Sequence, residues 1–292
     1  MNPTDAANPT DAANPTDAAA GSTHPRPRVG LVVVDDGLYT HRWVQALLEA
    51  PELNVVAAAC LSPFSAVNFN PRGTRGLWRV SLLRLRYYGP AATAKFALKS
   101  VRAGTADLGF RLGFGRQAHS VKSAVRARGI ELFTAPGGDV NRPDFSARLA
   151  EHRPDLLVCA FSQRAERGFL ETPRLGCLNV HFSLLPAHRG REPLFRAMLS
   201  GGGAGVSVHW MTPEFDAGAV VAQEPLDVAG CNTLDRLIHR AADLAGRILP
   251  QAVLKAAAWQ GDKSGPYELP DVCGWPSPEE IARFKQEGFR FV

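Results

Sequence analysis

The chain has 292 residues, of which 45% are hydrophobic and 21% charged, enough to bury a substantial core as one large or two small domains. It contains no run of about 18 apolar residues and no basic-then-apolar leader, so neither a helical membrane span nor a secretory peptide is expected. Five cysteines, Cys60, Cys159, Cys177, Cys231 and Cys273, follow no Cys-x-x-Cys spacing, and a reduced, cytoplasmic setting is expected.

Residues 2–19 are three copies of Asn-Pro-Thr-Asp-Ala-Ala. Such repeats carry a proline each and cannot bury a core, so residues 1–26 read as a disordered leader. Order is expected from 28–34, a continuous β-branched run typical of a strand buried on both faces. Asp35, Asp36 and Gly37 end it, an amphipathic segment follows from about Tyr39, and 54–61 repeats the strand signal. This β-α-β opening predicts a parallel sheet with a binding crevice outside the carboxyl ends of its strands. Neither Gly-x-Gly-x-x-Gly nor a Walker A pattern is present.

The formal net charge of +5 is unevenly spread. A basic helical insert is expected over about 62–103, where Arg72, Arg75, Arg79, Arg84, Arg86, Lys95, Lys99 and Arg102 are interleaved with apolar residues and no Asp or Glu occurs. Such a segment fits an anionic ligand, a membrane surface or RNA phosphates, and equally a pair of surface helices with snorkelling stems.

Alternation resumes with a helix at 119–128, a strand at 130–133, a helix at 143–152 and a buried strand at 154–161. The strand at 176–181 shows Asn179 and His181 two positions apart, on one face and near its carboxyl end. After a loop and a helix at 192–199, strands at 205–211 and 219–228 are joined by a short connection, which predicts antiparallel neighbours. Apolar residues from Leu234 to Val253 then repeat at three and four, the clearest amphipathic helix in the chain, running to about Trp259. The domain is expected to span 27–260, and 261–292 reads as a tail with one short helix. The fold class is α/β, a Rossmann-like, mostly parallel twisted sheet with flanking helices.

Asn179-Val180-His181, Ser183-Leu184-Leu185-Pro186, Arg189-Gly190, Gly205-Val206-Ser207-Val208-His209 and Asp216-Ala217-Gly218 together resemble the core signature of folate-dependent formyltransferases. The family includes glycinamide ribonucleotide transformylase, methionyl-tRNA formyltransferase, formyltetrahydrofolate deformylase and sugar-amine formyltransferases. The resemblance implies 10-formyltetrahydrofolate as co-substrate, no metal, and attack of an amine on the formyl carbon through a tetrahedral intermediate. It assigns Asn179, His181 and Asp216 to catalysis. A neutral amide and a protonated imidazole are suited to a developing oxyanion, and a carboxylate beside the ring favours its charged form. It places folate against Phe161, Ser162, Gln163, Ser183, Leu185, Met211 and Phe215. His188 and His209 match no role and read as exposed loop and strand packing.

Methionyl-tRNA formyltransferases carry a further domain after this core. Here about 33 residues follow the long helix, so tRNA is not the expected acceptor. The expectation is a small-molecule amine, an amino sugar, nucleotide sugar or amino-acid-derived metabolite, in a protein of one-carbon metabolism whose oligomeric state, a dimer included, stays open. The acceptor side is assigned Asp35, Asp36, Arg79, Arg84, Arg86 and Arg189, with an anionic acceptor in view. Two other readings stand beside it: a 10-formyltetrahydrofolate hydrolase using the same triad, and a non-catalytic protein binding an anion or membrane through the insert.

Overall fold

A computed structural model describes residues 26–62, 82, 85–266 and 268–292. The expected leader, except Arg26, and most of the insert before residue 85, including Arg79 and Arg84, lie outside the described residues. Among them a seven-stranded sheet runs in the order β3-β2-β1-β4-β5-β6-β7. The strands are β1 (Arg28–Val34), β2 (Asn54–Leu61), β3 (Glu131–Phe133), β4 (Leu156–Ala160), β5 (Gly176–His181), β6 (Gly205–Trp210) and β7 (Val220–Pro225). The first five pair in parallel; β6 and β7 join antiparallel. The strand order reverses at β1, whose neighbours are β2 and β4, and the crevice at such a switch point is where ligands bind in open α/β sheets.

The central strands are apolar on both faces because helices cover both. On one side α1 (Thr40–Glu49) and α7 (Leu234–Ala257) bury Trp43, Leu47, Leu237, Ala241, Ala245 and Leu249. Thr233 caps α7, its hydroxyl accepting from the Arg236 N–H at 3.3 Å. On the other side α4 (Pro143–Glu151) and α5 (Arg167–Leu170) bring Phe145, Leu149 and Phe169 against Val32, Leu157 and Cys159.

The tail belongs to this core. After α6 (Pro193–Ser200), α8 (Pro278–Gln286) returns Phe284 to stack on Phe195 at 4.6 Å, and Phe291 packs on both. Before α8, the 270–275 segment forms a bridge between Cys273 and Gly190. Gly190 has φ 95°, and a Cβ there would lie 2.3 Å from the Cys273 carbonyl, so only glycine allows the approach.

The described part of the insert is helical over residues 85–88 and in α2 (Pro90–Arg111), beyond the boundary near 103 that composition suggested. No α2 residue is fully buried, and Leu98, Val101 and Leu108 are exposed. It is tied down by the Lys99 ion pair with Asp235 and by Asp107, which accepts from the His119 N–H and the Ser120 and Ser123 hydroxyls. Ser120 in turn caps α3 (Val121–Ala127).

Candidate active site

Asn179 and His181 stand on β5 where the parallel part of the sheet ends. Antiparallel β6 sets His209 directly across from Asn179 and Ser207 across from His181. The loop from β6 to β7 then carries Asp216 back over the strand ends in a left-handed conformation, φ 48°. Its Oδ1 accepts from Asn179 Nδ2 at 3.3 Å and lies 3.5 Å from His209 Nε2; its Oδ2 is 3.6 Å from His181 Nδ1. The Gly190 N–H donates to the same Oδ2 at 2.7 Å. Gly218 finishes this loop against the Trp210 carbonyl, where a Cβ would come within 1.9 Å.

Burial by itself would raise the Asp216 pKa, but the contacts from His209, the charges of His181 and His209 and the Gly190 N–H overcome it and hold the carboxyl at about 2. His181 goes the other way. Its burial lowers the pKa more than Asp216 raises it, so the ring is neutral at pH 7. Yet both ring nitrogens face oxygens, Nδ1 the Asp216 carboxylate and Nε2 the His188 carbonyl at 3.2 Å. The geometry suits imidazolium while the dry surroundings resist it.

His209 belongs to this cluster and is not mere strand packing. Its Nδ1 lies 2.8 Å from the Trp210 carbonyl, which requires a proton on that nitrogen, and its Nε2 is 3.2 Å from Asn179 Nδ2. The Asn179 amide nitrogen thus contacts both His209 and Asp216. Sequence offered one clue, a histidine in an otherwise apolar strand.

A cavity of about 540 Å³ opens over the cluster. Asn179, His181 and Asp216 line it together with Phe161, Ser162, Phe215 and Asp36. Gln163 and Met211 line a small adjoining recess that shares Asn179, Phe215 and Asp216. Ser183 and Leu185 do not line either. Ser183 is fully buried, its hydroxyl donating to the Ala187 carbonyl, and the Leu185 N–H donates to Ser207 Oγ while its carbonyl accepts from Gln223. They shape the Ser-Leu-Leu-Pro turn, whose Leu185–Pro186 peptide is cis, and so set the floor of the site indirectly.

The acceptor-side expectations fare unevenly. Asp36 faces the cavity while accepting from the N–H groups of Leu38, Tyr39 and Thr40 at the start of α1. Asp35 instead accepts from the Val121 and Lys122 N–H groups at the start of α3, away from the cavity. Arg189 is buried with 5% exposure and spends its guanidinium on the Phe215 and Pro270 carbonyls, so it braces the Asp216 loop and does not line the cavity. Arg86 lines a separate hollow with Tyr87 and Pro276. Among the described residues no group of three or more His, Cys, Asp or Glu is arranged to hold a metal ion, and no helix is long and apolar enough to cross a membrane.

A buried carboxylate, two imidazoles and an amide converging on a cavity can move a proton and stabilise charge on a carbonyl oxygen. Comparison with known proteins agrees with that chemistry. Residues 116–253 match the family model described as formyl transferase. The methionyl-tRNA formyltransferase of Moorella thermoacetica is 34% identical over 174 residues, 55% of this chain and 55% of its own length. The chain thus spans about half the length of the curated relatives it matches. Among solved structures, glycinamide ribonucleotide transformylase 1 of Symbiobacterium toebii superposes with a TM-score of 0.52 over 82% of this chain and 94% of its own, at 20% identity. A sugar N-formyltransferase from a Shewanella species gives 0.51 over 86% and 78%, at 16% identity, and both likenesses speak to the fold.

Proposed function

On the premise that residues 116–253 are a formyl transferase domain, we propose that this protein transfers a formyl group from 10-formyltetrahydrofolate to the amine of a small-molecule acceptor. The observation that carries the reading is the convergence of Asn179, His181 and Asp216, from β5 and from a loop 35 residues beyond His181, at the floor of one cavity. These are the residues the family signature marks for catalysis, and their contacts suit those roles. The cavity falls within the size range of small-molecule sites, and the aromatic faces of Phe161, Phe215 and Trp275 along it suit a flat heterocycle.

In this reading the co-substrate supplies the formyl carbon, and the chain handles charge and protons. Asp216, ionised at working pH, anchors a proton on the His181 ring as negative charge develops on the formyl oxygen. The resulting imidazolium and the Asn179 N–H then stabilise that oxygen in a site where burial strengthens both. The proton on the ring comes from the acceptor amine as its nitrogen bonds the formyl carbon, and it passes to the folate nitrogen as that nitrogen's bond to the formyl carbon breaks.

The test is incubation with 10-formyltetrahydrofolate and a panel of amines: amino acids, amino sugars, nucleotide-linked amino sugars and methionyl-tRNA. Each product is weighed for the gain of one formyl group. Formylation of a small amine, abolished in Asn179→Ala and His181→Ala with folate binding retained, is expected. Formylation of methionyl-tRNA alone would reassign the acceptor, release of formate without any formylated amine would make the protein a hydrolase, and no turnover of the co-substrate would refute the proposal.

A further inference from the structure

Two arginines flank Gly190 and part company there. Arg189 turns inward and is fully spent on carbonyls, whereas Arg191 is half-buried at the cavity wall. Among the described residues that line the cavity it is the one Lys or Arg. Its guanidinium lies over the Trp275 ring at 4.8 Å. Trp275 is itself placed: Tyr87 meets it edge-on at 5.6 Å and donates its hydroxyl to the Pro276 carbonyl at 2.7 Å. The backbone is locked to the same strap, the Arg191 N–H donating to the Cys273 carbonyl at 2.9 Å and the Cys273 N–H to the Arg189 carbonyl at 2.7 Å.

This cation is held in position yet unspent. Its recorded side-chain hydrogen bond is a long one, 3.5 Å from Nη2 to the Ser162 carbonyl, and among the described residues no carboxylate lies within ion-pair distance of it. A guanidinium has five N–H donors in a planar fork, so most remain available to the cavity. Burial penalises its charge more than the neighbouring Glu192 carboxylate, also in the cavity wall, supports it, which makes an incoming anion more favourable than at an open surface.

The geometry points to Arg191, stacked on Trp275, as the group that reads a compact oxyanion on the acceptor, a carboxylate or a phosphate, and so selects amines that carry one. This rests on the formyl-transfer reading for the identity of the ligand. It replaces the insert's Arg86, which lines another hollow, as the source of any preference for anionic acceptors. The Gly190 N–H that holds Asp216 belongs to the residue just before Arg191, so one short segment would bind the acceptor's anion and hold the carboxylate that serves its amine.

The test uses the full chain with three acceptors that differ in one group: an amine bearing a carboxylate, one bearing a phosphate, and a neutral analogue. Arg191→Gln is expected to raise KM for one or both anionic acceptors by about 10- to 100-fold, with Arg191→Lys recovering part of it, while KM for folate and for the neutral amine stays put. Whichever anionic arm responds identifies the source of the oxyanion. Equal effects on neutral and anionic acceptors, or a rise confined to the folate KM, would overturn the assignment. Tryptophan fluorescence titrated with inorganic phosphate and with acetate gives a readout free of turnover. A saturable change lost in both Arg191→Gln and Trp275→Phe is expected, and a wild-type response to neither anion would also overturn it. Absence of formyl transfer by the wild type to any amine would defeat the proposed function instead, leaving the titration to decide the anion site.

Discussion

Replacing Asp216 by asparagine removes the charge around which the cluster is built while keeping an oxygen for the Gly190 N–H. The carboxyl sits at about 2 against an ordinary 3.8, a difference of about 2.4 kcal/mol between its ionised and neutral forms. Part of that comes from histidine charge present only in acid, so at pH 7 the contribution to stability is at most about 2 kcal/mol. The sign follows from the depressed value: ionised Asp216 stabilises the fold above pH 3.8, and this is lost as the pH falls towards about 2. Urea unfolding should therefore show Asp216→Asn destabilised by up to about 2 kcal/mol at pH 7, with the gap from wild type closing as the pH drops through that window. Single-turnover formyl transfer should fall by roughly 10²- to 10⁴-fold, the usual worth of a positioned acid-base group. A folded variant transferring formyl groups at the wild-type rate would show that the carboxylate only shapes the loop, and the proton path proposed here would be wrong.

His181 titrates below its ordinary 6.5 because burial outweighs Asp216, so the acid limb of kcat/KM should have its midpoint below pH 6.5; a midpoint above it would mean the ring is held charged. Arg189→Met leaves the Phe215 and Pro270 carbonyls without their guanidinium donor and should cost about 1–3 kcal/mol in urea unfolding. Retained stability with a raised acceptor KM would instead return Arg189 to the ligand. His41 is buried, its Nδ1 is among the unpartnered atoms, and desolvation lowers it from 6.5 to about 4 despite the pull of Asp36. The unfolded chain therefore takes up this proton first, so stability should decline from pH 6.5 to about 4 by about 3 kcal/mol. His41→Leu should flatten that stretch of the pH–stability profile, and an unchanged slope would remove His41 as its cause.

The sheet was legible because its strands announce themselves twice, by composition and by spacing. The apolar runs of β1, β2 and β4 are continuous, as burial on both faces demands, and the short link from β6 to β7 required antiparallel neighbours. The end of the insert was not legible. Composition placed it near 103, yet α2 continues through Gly104 and Gly109 to Arg111, held by Lys99 and Asp107, whose partners lie elsewhere in the chain. The tail's place against the core was not legible either. Phe284 and Phe291 meet Phe195 only once the chain has closed, and no local pattern shows that residues 272–275 roof the cavity.

Within the site, Asn179 and His181 could be paired from the sequence because a strand puts i and i+2 on one face. His209 could not, since its place opposite Asn179 depends on the register between β5 and β6, which neither strand encodes alone. The two arginines show where the rule stops working. In an extended segment Arg189 and Arg191 would share a face, and Arg189, the member within the family signature, was the natural candidate for the acceptor. Gly190 lies between them with φ 95°, outside the extended range, because the strap at Cys273 leaves no room for a Cβ. The alternation is broken at that residue. One guanidinium is carried inward to brace the Asp216 loop and the other outward over Trp275, so the glycine that holds the Asp216 carboxylate also decides which arginine faces the cavity.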